Sequence, residues 1–360
     1  MRYNKVYFYY LTGTGNILTA IRRLSAKLSE QGVATELIAI DRFETINKPE
    51  NAVGALIAFC YPTHGFSLPW LMLKFILKFP SLKKMPVLLM NSRAGAKYFK
   101  WYGPGASGIA QILPLLILWI KGFCIRYMVP IDPPSNWISV HPGFSRKAIE
   151  GIWNNTNRFI DITAEKILEG KNYYRPNVFW MMPVDLVLSP ISFMYMISGR
   201  FFLSKTFIAG ANCNSCRICE MKCPAKAIKI RNNRPYWTFS CESCMRCMNI
   251  CPSKSIQTSH SLALIIILVM SIYPAKLSVE WMLQQIAHIP VLTMLQHIKG
   301  VTSWALSLTM IYLIYLAIFY LMSLRWITVF FEYTSLTKFW KRYISPGIGA
   351  KDFMQKKTND

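Results

Sequence analysis

The sequence predicts an α/β fold: a doubly wound parallel sheet over residues 1–172, then a small α+β domain at 206–258 and α-helical membrane segments between 259 and 331. Three observations predict it. Five short apolar runs alternate with helical stretches in the first half, eight of ten cysteines fall between 213 and 251, and residues 300–324 carry no charge.

The first strand, KVYFYYL, runs into TGTGN (12–16) and then the amphipathic ILTAIRRLSAKL. Two glycines allow a tight turn that brings several N–H groups together, and Thr12, Thr14 and Asn16 add side-chain donors. A helix starting at Asn16 aims its unpaired amides at the same spot, so the loop reads either as a phosphate nest or as an ordinary strand-to-helix turn. The runs VATELIAI, VGALIAFC, PVLLMN and FCIRYMV supply four more strands, and helices are expected to start near 70, 105 and 144. A polar stretch at 41–52 joins the second and third strands. ILPLLILWI (112–120) is short, holds Pro114 and falls where the sheet needs a covering helix, so it is not read as a span. In such sheets ligands bind beyond the carboxyl ends of the strands. The loops there are TGTGN, YPTHGFSLP (61–69) and NSRAGAKYFKWYGPGASG (91–108). The dinucleotide pattern GxGxxG is absent, since Ile17 and Leu18 follow Asn16.

Composition points to a membrane. The chain has 360 residues, is 53% apolar with 41 Lys and Arg against 17 Asp and Glu, a formal +24, and has a mean hydropathy of +0.27. Such a surface suits anionic lipid or acidic protein partners. The basic residues are spread along the chain rather than gathered into an aromatic-interleaved patch, which argues against nucleic acid. The start lacks the apolar core of a cleavable signal, so the N-terminal part is expected in the cytoplasm, where reduced cysteines read as metal ligands before disulfides.

Those cysteines form two copies of CxxCxxCxxxCP: CNSCRICEMKCP at 213–224 and CESCMRCMNICP at 241–252. Zinc sites usually pair two CxxC knuckles and do not account for the third and fourth cysteines, the proline and the duplication. The pattern resembles the bacterial two-cluster ferredoxin run, in which the fourth cysteine of each copy crosses to the other cluster. The resemblance implies one 4Fe-4S cluster on Cys213, Cys216, Cys219 and Cys251, and a second on Cys241, Cys244, Cys247 and Cys223. Cys60 and Cys124 lie in apolar runs and read as buried core residues.

Over residues 1–255 the chain resembles fusions of a flavodoxin-like domain to a two-cluster ferredoxin, known from anaerobic microbes. The resemblance implies a domain at 1–172 that binds flavin mononucleotide (FMN), with its phosphate at Thr12, Gly13, Thr14, Gly15 and Asn16, although Ile17 stands where a hydroxyl residue is usual. It also implies that Pro62, Thr63, His64 and Gly65, with Pro69, lie along the flavin ring. Asn91, Ser92 and Gly95, with Tyr98 and Trp101, then close the other side, and PPSNWISVHPG (133–143) resembles the segment before the last helix. His64 also reads as a packing histidine, and Tyr98, Trp101 and Tyr102 as a surface patch.

The remaining segments concern the bilayer. Residues 300–324 are long enough to span, and 261–275 are short enough to dip instead. Seven basic residues between Arg325 and Lys357, against two between Lys276 and Lys299, place the basic tail (332–360) on the cytoplasmic side. That requires two crossings, a hairpin with WMLQQIAHIPVLTMLQ between its arms at the far surface. The apolar connector at 173–205, with Pro183, Asp185 and Pro190 inside it, reads as an interfacial segment or as a connector packed on the core. His288 and His297 are nine residues apart and read as interfacial packing rather than haem ligands.

The expected function is electron transfer at the cell membrane with the redox domains on the cytoplasmic side: FMN and two 4Fe-4S clusters exchange electrons with a soluble ferredoxin or flavodoxin and with a membrane reductase, quinone or lipid-borne substrate. No acid-base or nucleophile constellation identifies catalytic residues. A non-catalytic wiring subunit and an iron–sulfur redox sensor remain open as alternatives.

Overall fold

The computed structural model describes residues 3–46, 49, 53–99, 101–272 and 299–353. The first half follows the expected alternation: β1 (Lys5–Tyr10), α1 (Asn16–Glu30), β2 (Ala34–Ala39), β3 (Ala55–Pro62), α2 (Trp70–Lys78), β4 (Pro86–Ser92), a hairpin of β5 (Ala96–Tyr98) and β6 (Trp101–Gly103), α3 (Ile109–Ile120), β7 (Cys124–Met128), α4 (Arg146–Leu168) and β8 (Tyr173–Tyr174). The sheet order is β2-β1-β3-β4-β7-β8 and all its pairs are parallel. Without the two-residue β8 this is the flavodoxin-like doubly wound order, with its switch point between β1 and β3. The hairpin and β8 were not expected; β8 extends the sheet just past residue 172.

Strand alternation divides the core between the two faces. Val6 and Phe8 of β1 pack with Ile17, Ile21 and Leu24 of α1 and Trp153, Ile160 and Ile167 of α4. Tyr7 and Tyr9 face the other way, onto Met72, Phe75 and Ile76 of α2 and Leu118 of α3. The apolar run at 112–120 is therefore the covering helix expected, with Pro114 buried inside it. Cys60 is fully buried in β3 as expected, but Cys124 is exposed, a correction: it opens β7 at the amino-terminal edge of the sheet, beyond the packed interior.

Short helical turns over Asn177–Trp180, Met182–Val187, Ser189–Met194, Tyr195–Gly199 and Arg200–Ser204 form the connector. The cysteine-rich module follows: β9 (Phe207–Ala209), α5 (Ile218–Met221), β10 (Ile228–Arg231), β11 (Arg234–Trp237), α6 (Arg246–Ile250) and β12 (Ile256–Thr258). Its β9 pairs antiparallel with β12, and β10 with β11, so first and last strands close the module on itself.

Among the described residues, three α-helices follow the module: α7 (His260–Ile272), α8 (Lys299–Leu321) and α9 (Arg325–Tyr333). Leu262 and Ile266 of α7 pack with Ile311, Met322, Ile327 and Phe331. Within α8, Trp304–Leu321 is long and apolar enough to cross a membrane by length and composition. One side of that helix runs along the module and the connector: the Trp237 N–H donates to the Tyr315 hydroxyl (3.0 Å), Phe319 meets Tyr236 edge-on, and Trp304 Nε1 donates to the Ile197 carbonyl (3.0 Å). Of α7, only His260–Ile272 is among the described residues. Residues 273–275, the amphipathic stretch, His288 and His297 lie outside the described residues.

Candidate functional site

The two cysteine runs fold as copies of one another. Positive φ recurs at Ser215, Arg217 and Lys226 and again at Ser243, Met245 and Lys254, each 28 positions on. Left-handed residues between ligand positions turn backbone amides inward. The Ala227 N–H lies 3.2 Å from Cys223 Sγ and the Ser243 N–H 3.4 Å from Cys241 Sγ. Such donors stabilise a thiolate.

Cys223 of the first run and Cys241, Cys244 and Cys247 of the second line one cavity, closed by Phe207, Ile228 and Met245. Burial raises the Cys219 thiol to about 12, and charge on Cys213, Cys251 and Cys216 adds to it. Burial likewise raises Cys244 to about 11, with Arg246 opposing. The four members of the second expected set thus share a cavity. Among the described residues no three His, Cys, Asp or Glu converge on a position for one metal ion. Four cysteines lining one cavity are a donor set of the chemistry that an iron–sulfur cluster takes. The two sets differ in access: Cys216 is exposed, whereas Cys223, Cys241 and Cys247 are buried.

The three loops at the carboxyl edge of the sheet also converge, but on the chain itself. Thr12, Thr14 and Asn16 are buried. The Gly15 N–H is taken by Thr12 Oγ1 (3.1 Å), Asn136 Nδ2 donates to Thr14 Oγ1 (3.0 Å), and Asn16 bonds the Pro134 carbonyl and the Tyr343 hydroxyl (2.9 and 2.7 Å). The Ser345 N–H donates to the Thr14 carbonyl (2.9 Å). A Cβ on Gly13 would lie 2.3 Å from the Cys244 carbonyl oxygen, and one on Gly15, which has φ +98°, 2.8 Å from Ile348. The second loop meets the connector: a Cβ on Gly65 would lie 2.2 Å from the Tyr195 ring. Burial lowers His64 to about 4, a neutral packing histidine whose Nδ1 has no protein partner. Pro62 closes β3 beside Ser92, and Asn91 ties the loops together through Thr63 Oγ1 (2.8 Å) and Ser107 Oγ (3.1 Å). Gly95 lies against the Asp132 carbonyl. Trp101 is exposed, a surface residue. The structure thus brings the expected loop residues together, yet the cysteine module, Tyr195 and residues 343–348 stand where FMN would touch them. FMN does not fit this arrangement without displacing them.

Several residues escaped sequence reasoning. Arg246, 2% exposed, pairs with Asp41, donates to the carbonyls of Thr12 (2.5 Å) and Lys222 (2.9 Å) and more weakly to that of Gly13 (3.3 Å), and lies over the Phe353 ring. Its signal was the duplication: position 246 corresponds to Ile218 in the first run, so a charge has replaced an apolar residue. Arg42 donates to the Cys223 carbonyl (2.8 Å) and to that of Glu220. Glu242 accepts from the Trp70 and Leu71 amides at the start of α2 (3.0 and 2.9 Å), and burial still holds its carboxyl above the usual range. Asp132 receives Arg93 at 2.8 Å through two bonds and Arg175 at 2.7 Å. Burial alone would raise its pKa, but the two guanidiniums hold it below the ordinary value. Asp185, expected only as an argument against a span, accepts from the Ser107 and Gly108 amides ahead of α3 (2.8 and 2.7 Å).

No protein-family model matches the chain, and no curated protein matches it. Among solved structures it is similar to a flavodoxin from the domain Archaea (18% identity, 45% of this chain and 98% of that one, TM-score 0.29). It is also similar to flavodoxin 1 from Bacillus cereus (15%, 44% and 97%, TM-score 0.28) and to a flavodoxin from Streptococcus pneumoniae (15%, 45% and 99%, TM-score 0.30). The flavodoxin-like assignment of the N-terminal domain rests on the strand order.

Proposed function

We propose that this chain is a membrane-associated electron carrier whose working groups are two 4Fe-4S clusters, held by Cys213, Cys216, Cys219 and Cys251 and by Cys241, Cys244, Cys247 and Cys223. The observation that carries the reading is the cavity shared by Cys223 and the first three cysteines of the second run. When bound, such clusters pass single electrons at low potential. The protein supplies the thiolates, the N–H donors from Ala227 and Ser243, and a wall of Phe207, Ile228 and Met245 that keeps water from the second set. The exposed Cys216 marks the first set as the side open to a soluble partner, and the excess of 24 positive charges favours an acidic one, such as a ferredoxin or flavodoxin. The chain's own groups fill the loops expected to hold FMN, so the proposed electron path runs through the clusters alone.

Membrane association is part of the proposal. Its support is the apolar helix α8 together with the outward face of the connector, where Trp180 is 82% and Val187 77% exposed. The charge asymmetry of the tail supports a cytoplasmic location of the redox module, and the apolar helix suits a quinone or membrane reductase as the second partner. Purification without oxygen, with iron, sulfide and zinc counts, tests the cluster reading. About eight irons and eight sulfides per chain are expected. Zinc without sulfide refutes it.

A further inference from the structure

We propose that the crevice at the carboxyl edge of the parallel sheet is the docking seat of the chain's own cysteine module, so that flavin mononucleotide and the docked module exclude each other. The inference rests on the cluster reading only in calling that module a cluster carrier. In a doubly wound sheet this crevice is where a ligand is expected. Here the first two of its loops, and the turn after β2, have occupants from elsewhere in the same chain. At Thr12–Asn16 it is the turn carrying Cys244 and Arg246, with Tyr343, Ser345 and Ile348 covering the other side. At Asp41–Arg42 it is Arg246 and the backbone of Glu220 to Pro224. At Gly65 it is Tyr195, and at the start of α2 it is Glu242.

The contacts turn the loop's carbonyls toward the module. Arg246 spends its guanidinium on the Thr12 and Gly13 carbonyls and on Asp41, which fixes the loop with its backbone oxygens facing a protein cation. The glycines of TGTGN keep a separate use. Gly13 has no Cβ because the Cys244 carbonyl oxygen is in its place, and Gly15 none because Ile348 is. Retention of a glycine-rich loop therefore has a structural cause in this chain that does not involve a phosphate. Its consequence is that the second cysteine set lies under the flavodoxin-like domain, with Cys244 in contact with the first loop, while the first set stays open to solvent at Cys216.

The test uses the full chain purified without oxygen, scored for iron, sulfide and extractable flavin and then titrated with FMN while flavin fluorescence is followed. Less than a tenth of a flavin per chain, with no quenching on titration, is expected. A stoichiometric flavin alongside a full iron count overturns the proposal. Protein without iron or sulfide refutes the cluster reading instead, and the flavin count still decides this one. Gly13→Ala supplies a second arm with a readout in the other module. Its methyl would strike the Cys244 carbonyl, so a shifted electron paramagnetic resonance signal or loss of about half of the iron is expected, confined to the second set. If both clusters keep their wild-type signals and iron in this variant, the turn is not docked on the loop and the proposal fails.

Discussion

Replacing Arg246 by Met tests the join between the two modules at its most buried charge. The guanidinium is 2% exposed, pairs with Asp41 and bonds the carbonyls of Thr12, Gly13 and Lys222. Methionine fills much of the volume but takes the Arg246 cation away from Asp41 and a donor away from three carbonyls. Stranding one partner of a buried pair costs about 3–5 kcal/mol, whereas removing both charges together often costs little. At 1.4 kcal/mol per tenfold, native-state hydrogen exchange at the amides of residues 12–16 should quicken by more than about a hundredfold in Arg246→Met if those amides open with the interface. Asp41→Asn alone should also quicken exchange, because it leaves the guanidinium unpaired. Combining the two should return part of the loss, a coupling of about 1–3 kcal/mol within the range for groups in contact. Exchange unchanged in Arg246→Met, or effects that simply add in the double variant, would refute the argument that this ion pair locks the loop to the cysteine turn.

Cys247→Ser should reduce the iron content by about half while the first set keeps its signal, since Cys247 shares its cavity with Cys223, Cys241 and Cys244 and not with Cys216; iron and sulfide analysis checks this. Asp132→Asn should destabilise the protein by about 3–5 kcal/mol by leaving Arg93 and Arg175 facing one another unpaired, measured as a fall in thermal midpoint. Because the folded pKa of Asp132 is depressed, its contribution is complete above the ordinary carboxylate range and is lost as pH falls through the lower folded value. Below that range the gap between wild type and variant in a pH series should therefore narrow. Trp180→Asp combined with Val187→Asp should weaken sedimentation with anionic vesicles by about tenfold or more, since each charge on an exposed apolar face opposes insertion; unchanged binding would remove the connector from the membrane surface.

Much of the architecture was legible because its signals are local. The five main strands fall on the five apolar runs, and α1, α2 and α4 begin at or within two residues of the expected starts, with α3 four residues later. The duplicated cysteine spacing was equally plain, since ligand positions must sit at fixed offsets whatever surrounds them. What the sequence could not show is which surface meets which. Asp185 looked like a charge spoiling a span; it is an acceptor for two backbone amides ahead of α3, a role that exists only once the connector folds back over residues 107 and 108. Tyr343 and Ile348 sit in a basic tail whose composition gives no hint that it returns more than 300 positions to Gly15 and Asn16. Long-range pairings of this kind depend on shape, and no periodicity encodes them.

The same limit explains why TGTGN is a double-edged motif. Small residues and glycines at a strand-to-helix turn are required wherever another body must approach the backbone closely, and a phosphate and a protein carbonyl impose that requirement alike. The motif therefore reports close approach, and its partner has to be read from what else is buried there. In this chain the partner carries a guanidinium aimed at the loop's carbonyls, the tail caps its threonine and asparagine, and an aromatic ring lies on Gly65. A phosphate binder keeps its N–H groups free for an anion, whereas this loop spends the Gly15 N–H on Thr12 and presents carbonyls to a cation. The spent Gly15 N–H and the carbonyls turned to a cation tie the first loop to the cysteine module through Arg246, beside the contacts of Arg42 and Glu242.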